Sequence, residues 1–306
     1  MPIQPVAKVW KNGELMDWEN ATVHVLSHAL HYGTGVFEGI RCYETARGPA
    51  MFRPHDHLER LKRSAQIFLM DIPYATAELV KAARTLIRVN ELSACYVRPI
   101  AFRGYGEMGV NPENNPVDVC IAVWPWGTYL GDEALHRGVR MTVSSWRRHD
   151  QNIIPPQAKV TGAYVNASMA KLEAVRSGFD EAVMLNPSGY VSEATGENLF
   201  VVIEGEIFTP PLGAGPLPGI TRSSVMTIAA DLGMPVRERQ LARADLYTAD
   251  EIFCTGTAAE VTPVREVDHR VLGDPGPVTQ TIQQRYFSVV RGEDEKYLGW
   301  LDLVHD

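Results

Sequence analysis

Lys159 is one of only seven lysines in the 306-residue chain. Lys8 and Lys11 lie beside an Asn12-Gly13 turn, and Lys62, Lys81 and Lys171 fall on amphipathic helical stretches. Lys296 closes the acidic run Glu293-Asp294-Glu295. Lys159 alone sits in a stretch without another charge, Pro155-Pro156-Gln157-Ala158-Lys159-Val160-Thr161-Gly162-Ala163-Tyr164-Val165. A lysine so placed can shed its proton and act as an amine nucleophile, the chemistry that a Schiff base with an aldehyde cofactor requires. The plain alternative is a lysine whose stem lies along the surface near a helix start, so the residue needs partners.

Glu193 is the first candidate partner. It lies in Ser192-Glu193-Ala194-Thr195-Gly196-Glu197-Asn198-Leu199-Phe200, where glutamates flank a glycine just before an apolar strand. Gly196 permits close approach of a flat ligand to the backbone. A carboxylate beside a pyridine nitrogen keeps that nitrogen protonated, which makes pyridoxal phosphate an electron sink; a solvated turn is the ordinary alternative. Two segments suit a phosphate. Gly219-Ile220-Thr221 stands at the mouth of an expected helix, where N–H groups and a hydroxyl meet an anion. Cys254-Thr255-Gly256-Thr257-Ala258-Ala259 runs from a strand into a turn of small residues. Arg60 adds a planar guanidinium. Against these stand Thr221 as a simple N-cap and Arg60 as a surface helix residue. For substrate, Tyr96 and Arg98 alternate on one side of a strand and together suit a carboxylate. Tyr32, Phe37, Trp126 and Tyr129 either wall an apolar pocket or are plain core.

The elements that position these residues divide into two halves. Val9 to Met16 reads as a hairpin turning at Asn12-Gly13, and Val36 to Tyr43 as a strand. His55 to Met70 is helical, with Leu58, Leu61, Ala65, Phe68 and Leu69 on one face. A second helix spans Ala75 to Asn90, and strands follow at Cys95–Phe102 and Val117–Trp124. This predicts a small α+β domain over 1–125. Pro125 to Gly131 has turn formers at both ends, and 126–137 is expected to connect the domains, where small-molecule sites concentrate. The larger domain, 138–306, alternates strands (Val139–Ser144, Glu181–Leu185, Leu199–Ile203, Glu251–Thr255) with helices. Those helices are Ala163–Ser177, with Val165, Met169, Leu172 and Val175 facing the core, one opening at Pro218 and ending near Gly233, and Val278–Val290. Leu298 to Leu303 carries no assignable pattern.

Hydrophobic content of 45% and charged content of 22% are ordinary for a globular protein. A formal net charge of -8 argues against a nucleic-acid or anionic-membrane partner. No apolar run reaches the roughly 18–20 residues of a membrane helix, and Met1 to Pro5 lacks the pattern of a signal peptide. Cys42, Cys95, Cys120 and Cys254 are scattered without a CxxC pair, so reduced thiols in a cytoplasmic protein are expected, and no metal site.

Taken together, these segments resemble one family. Glu193 to Phe200 is similar to the signature of class-IV aminotransferases, the fold-type IV pyridoxal-phosphate enzymes. Ser27 to Gly33, Val36 to Arg41, His57 to Leu61, Gly109 to Pro112, Leu217 to Arg222 and Thr255 to Glu260 resemble, in order, the branched-chain amino acid aminotransferases. The resemblance implies a two-domain fold, with a small α+β N-terminal domain and a larger β-barrel-like domain carrying helices. It implies pyridoxal 5′-phosphate bound to Lys159, which would also shuttle a proton between substrate Cα and cofactor C4′. Glu193 would face the pyridine nitrogen, beside Gly196, and Tyr164 the phenolic oxygen. Arg60, Leu217, Ile220, Thr221, Gly256 and Thr257 would hold the cofactor, chiefly its phosphate. Tyr96 with Thr257, Ala258 and Ala259 would bind the substrate α-carboxylate. Tyr32, Phe37, Gly39, Met108, Val110, Trp126 and Tyr129 would shape the side-chain pocket, and Arg98 would meet the distal carboxylate of glutamate.

The implied reaction moves an amino group between leucine, isoleucine or valine and 2-oxoglutarate. A D-amino acid or (R)-amine transaminase and an aminodeoxychorismate lyase-like enzyme are the alternatives. Amino acids and 2-keto acids would be the small-molecule partners, and the assembly a homo-oligomer, a dimer or higher such as a hexamer. Two departures stand out: Val160 and Thr161 are bulkier than the small residues expected after the lysine, and Arg103 and Tyr105 are additions near the pocket entrance.

Overall fold

The computed structural model describes residues 3–127 and 131–305, so Tyr129 lies outside the described residues. The chain forms two compact units. One comprises Met1–Gly127, Ala158–Ala163 and Val289–Asp306, and the other Thr128–Gln157 and Tyr164–Ser288. The short segment carrying Lys159 and the C-terminal stretch thus belong to the first unit.

The first unit opens with β1 (Lys8–Lys11) and β2 (Glu14–Asp17), which pair with Lys11 opposite Glu14. Asn12 and Gly13 both have positive φ, 49° and 97°, as a type I′ turn demands. There follow α1 (His28–Tyr32), β3 (Gly35–Phe37), β4 (Ile40–Thr45), β5 (Gly48–Phe52), α2 (Pro54–Ile67), α3 (Thr76–Val89), β6 (Cys95–Arg103) and β7 (Val117–Pro125). The sheet runs β5-β4-β6-β7-β1-β2, with β3 also on β6. The C-terminal residues Leu301–Leu303, unassigned from the sequence, add a strand to the free edge of β5.

The expected strand Val36–Tyr43 is broken in two at Glu38-Gly39. A Cβ at Gly39 would come within 1.9 Å of the Tyr96 hydroxyl, so only glycine lets the chain pass there. On α2, Leu58, Leu61 and Ala65 are buried as expected. Leu69 is not: the helix stops at Ile67, Leu69 takes φ 50° and faces solvent, and Met70 is buried instead.

The second unit contains α4 (Asp132–Arg137), β8 (Val139–Val143), α5 (Tyr164–Arg176), β9 (Glu181–Leu185), β10 (Val191–Ala194), β11 (Asn198–Ile203), β12 (Glu206–Thr209), α6 (Ile220–Asp231), β13 (Val236–Glu238), α7 (Arg243–Tyr247), β14 (Glu251–Gly256), β15 (Glu260–Val267), β16 (Arg270–Val271) and α8 (Pro277–Val290). Its sheet runs β10-β9-β8-β15-β14-β11-β12-β13. The edges meet beyond the last strand: Val191 N–H donates to the Leu241 carbonyl at 2.8 Å, and Tyr190 bridges Ala242. The sheet therefore curls on itself, in keeping with the expected barrel-like α+β architecture. Its interior is filled by Val139, Met141, Leu199, Val201, Ile252, Val264 and their neighbours.

The face expected to bury α5 is the wrong one. Val165, Met169, Leu172 and Val175 are exposed, and the buried face is Ala167, Ala170 and Ala174. Ala170 and Ala174 join Phe179 with Ala182 and Met184 of β9 in one cluster. Alanines let the helix lie close on the sheet, and the larger apolar residues are left as an outward stripe. Among the described residues no helix is long and apolar enough to cross a membrane, and no cluster of side chains suits a metal ion.

Candidate active site

Lys159 is held at both ends of its peptide unit. Its N–H donates to Ser64 Oγ on α2 at 3.1 Å, and its carbonyl accepts from Phe37 N–H on β3 at 3.0 Å. Val160 bridges Val36, and Thr161 Oγ1 donates to the Gly33 carbonyl at 2.8 Å. Gly33 and Gly162 touch so closely that a Cβ on Gly33 would lie 2.7 Å from Gly162 Cα. The bulkier Val160 and Thr161 are thus anchors that fix the lysine's backbone, and the glycine follows them where the chains cross. The ammonium stands 5.0 Å from the centroid of Phe37.

Arg60 is buried, which excludes the surface-arginine reading. Its Nε and Nη2 donate to the two oxygens of Glu38 at 2.6 and 2.8 Å, and His57 Nδ1 meets Glu38 Oε2 at 2.7 Å. Burial alone would raise the Glu38 carboxyl. The charge of Arg60 and the hydrogen bonds from His57 and Arg60 outweigh it and hold Glu38 far below the usual carboxylate range. Burial pushes the His57 imidazole down, against the pull of Glu38. A neutral His57 then donates its Nδ1 proton to the carboxylate, and the fork of Arg60 is fixed in one plane.

On β6, Tyr96 and Arg98 do share a side. The Arg98 guanidinium lies 4.9 Å from the Phe37 ring, 5.3 Å from Tyr96 and 5.8 Å from Trp124. Trp126 packs on Tyr96 with ring centroids 5.0 Å apart. Phe37, Gly39, Tyr96, Arg98 and Trp126 are therefore one group. Tyr32, Met108 and Val110 are not in it: all three face solvent, Val110 at 84% exposure. Arg103 is no pocket group, because it is buried and donates to the carbonyls of Leu69, Glu113 and Asn115.

In the second unit Glu193 lies buried on β10. Arg148 Nη2 contacts its Oε1 at 2.7 Å, while Oε2 accepts from Leu217 N–H at 3.0 Å and Asn198 Nδ2 at 3.2 Å. Asn198 Nδ2 also donates to the Leu217 carbonyl. Its Oδ1 would meet a Cβ on Gly219 at 2.0 Å, so glycine is required at the mouth of α6. Gly219, not Thr221, is the N-cap, and no side chain caps it. Ile220 and Thr221 are the first two helical residues, and both are buried. Gly256 ends β14; Thr257 and Ala258 are half-buried in the turn to β15, and Ala259 is buried. Around Gly196 a Cβ would meet nothing within 4 Å. Tyr164 is half-buried at the first position of α5. A buried, oriented carboxylate, an uncapped helix N-terminus and an open glycine face fit a flat, phosphorylated heteroaromatic ring.

Glu197 is buried beneath this turn, and its Oε2 accepts from Gly196 N–H at 3.1 Å. Burial, reinforced by the charge of Glu181, pushes its carboxyl up to about 8. Glu181 itself is engaged by Lys171 at 2.6 Å and by Thr195. The folded protein therefore keeps a proton on Glu197 that the unfolded chain releases above about pH 4.5. The resulting cost to stability grows from there to about pH 8 and is constant beyond. Glu197→Gln is expected to remove it. In urea melts the variant should be more stable than the parent by up to about 5 kcal/mol at pH 9 and indistinguishable from it near pH 4.

Sequence reasoning overlooks Glu38, His57, Ser64, Arg148 and Asn198. Glu38 and His57 lie within segments that resemble the family but carry no role there; an acid inside an apolar strand is the available signal. Arg148, in Trp146-Arg147-Arg148-His149, offers none.

The chain is similar to known proteins along most of its length. Residues 35–267 match the family Amino-transferase class IV. The branched-chain-amino-acid aminotransferase of Salmonella typhimurium is 50% identical over 300 residues, 97% of each chain. The crystal structure of the branched-chain amino acid aminotransferase of Escherichia coli superposes with a TM-score of 0.96 at 49% identity, covering 98% of this chain and 99% of that one. A T.th. branched-chain amino acid aminotransferase complexed with N-(5′-phosphopyridoxyl)-L-glutamate does so with a TM-score of 0.94 at 48% identity, covering 98% and 100%. With the family matched over most of its length and half its residues shared with such a relative, this chain belongs to the class IV aminotransferases, the fold-type IV enzymes.

Proposed function

We propose that the protein transfers the amino group of leucine, isoleucine or valine to 2-oxoglutarate with pyridoxal 5′-phosphate as cofactor, yielding branched-chain 2-keto acids and glutamate. One observation carries the substrate class: Arg98 is set among Phe37, Tyr96 and Trp124. An aromatic wall accepts a branched aliphatic chain, and the guanidinium embedded in it accepts the distal carboxylate of glutamate, so one pocket serves both half-reactions. The bound cofactor supplies an electron sink for the electrons of the substrate Cα–H bond.

The chain's own residues do the rest. Lys159 Nζ anchors the cofactor covalently and moves the proton at the substrate Cα, from a backbone that Ser64 and Phe37 hold still. Glu193 is assigned to the pyridine nitrogen and Tyr164 to the phenolic oxygen. Arg60, Ile220, Thr221 and Thr257 are assigned to the phosphate, Arg60 presented by the clamp of Glu38 and His57. Tyr96 and the turn Thr257-Ala258-Ala259 are assigned to the α-carboxylate, with room for the Tyr96 hydroxyl left by the missing Cβ of Gly39.

The homo-oligomer and the cytoplasmic setting belong to the same proposal. Leu26, Leu30, Tyr32, Tyr105, Met108 and Val110 leave exposed apolar surface on the first unit, of the kind that subunit contacts cover. The cysteines are unpaired thiols, which suits a reducing compartment. Sedimentation of the purified protein should show at least a dimer.

A screen of amino donors against the visible spectrum of the purified protein tests the reading. L-leucine, L-isoleucine, L-valine and L-glutamate should each discharge the absorbance of the bound aldehyde form. Activity on an (R)-amine with none on L-leucine would overturn the substrate class. Pyruvate release without a keto-acid acceptor would replace transfer by elimination.

A further inference from the structure

Arg148 has no role in the sequence reading of the site, yet it makes a close contact with the carboxylate assigned to the pyridine nitrogen. We propose that Arg148 is a positioning residue for catalysis, one that fixes the plane of the Glu193 carboxylate. The inference rests on the cofactor reading above and deepens it.

The geometry has three parts. Arg148 is itself fixed, because its N–H donates to the Leu185 carbonyl on β9 at 2.9 Å. Its guanidinium is buried and contacts Glu193 Oε1 at 2.7 Å, with the two side chains only 10% and 8% exposed. The other oxygen, Oε2, is held from a different direction by Leu217 N–H and Asn198 Nδ2. Two oxygens gripped from two directions leave the carboxylate no free rotation about its last bond. A carboxylate held by Oε2 alone pivots, and a buried ion pair that loses one member leaves an uncompensated charge. Glu193 acts on a ring, so the direction of its lone pairs matters as much as its charge. Removing Arg148 should therefore weaken retention of the cofactor and slow the chemical step, while the groups assigned to substrate, Tyr96 and Arg98 on β6, stay in place.

Arg148→Met and Arg148→Lys test this beside the parent enzyme, all isolated with cofactor. Four readouts apply: loss of cofactor on dialysis, the visible spectrum, the thermal midpoint, and kcat and KM for leucine. The expected result for Arg148→Met is cofactor released about tenfold faster, a displaced visible band, and kcat lowered by about 30-fold with KM changed less than threefold. Arg148→Lys, which restores the charge without the planar fork, should recover the thermal midpoint but less than half of the lost kcat. The proposal is overturned if Arg148→Met keeps the parent's spectrum, cofactor retention and kcat. It is also overturned if both variants lose activity only in proportion to their loss of fold, or if Arg148→Lys restores kcat in full. A parent enzyme that carries no cofactor or fails to transaminate leucine would instead defeat the reading on which the inference rests.

Discussion

Lys159→Ala is expected to lower the rate of the leucine half-reaction by at least about 10⁴-fold, since it removes both a covalent anchor and a general acid–base. The fold should survive. Lys159 is half-buried, and the bonds that hold its segment run through its backbone, through Thr161 and through the crossing of Gly33 and Gly162. Alanine keeps all of these. The thermal midpoint should therefore change by no more than a few degrees while single-turnover kinetics collapse. Added methylamine should restore a fraction of the proton transfer but not the anchoring. A variant that turned leucine over at the parent rate would remove Lys159 from the reaction.

Glu193→Gln is the second large effect, and it has two separable components. The amide keeps the size of the side chain and an oxygen that can accept from Leu217 N–H. It cannot keep a pyridine nitrogen protonated, so kcat should fall by roughly 10²–10³-fold. It also strands the Arg148 guanidinium, buried at 2.7 Å from the lost charge. Removing one partner of such a pair costs about 3 kcal/mol of stability. Urea unfolding of the double variant Arg148→Met/Glu193→Gln separates the two: it should regain part of that stability, because no unpaired charge remains, and none of the activity. If the double variant were as unstable as the sum of the single ones, the two side chains would not be coupled.

How far these residues are legible in the sequence depends on what kind of signal each emits. Lys159 is legible because its neighbours carry no charge, and Tyr96 and Arg98 because strand alternation puts them on one side. The Asn12-Gly13 hairpin, α2, α3 and the long strands β6 and β7 follow from period and turn chemistry. Residues whose importance is a matter of what they touch across the chain stay hidden. Glu38 reads as an oddity in an apolar strand until His57 and Arg60, some twenty residues on, are seen to share it. Arg148 is one of several arginines until β10 brings Glu193 to it. The α5 helix shows the opposite failure. Its large apolar residues have the spacing of a buried face, but close packing on β9 favours the alanines, and no local pattern distinguishes a stripe meant for the interior from one left outside. The C-terminal strand is likewise invisible, since three residues pairing with β5 have too little period to detect.

The central claim is that Lys159 holds the cofactor covalently, and borohydride reduction followed by peptide mapping tests it most directly. Reduction of the purified protein should abolish its visible band and leave a phosphopyridoxyl group on the peptide containing Lys159, in close to one equivalent per chain, with the other six lysines unmodified. A protein that carries no such group after reduction, or carries it on another lysine, would contradict the account.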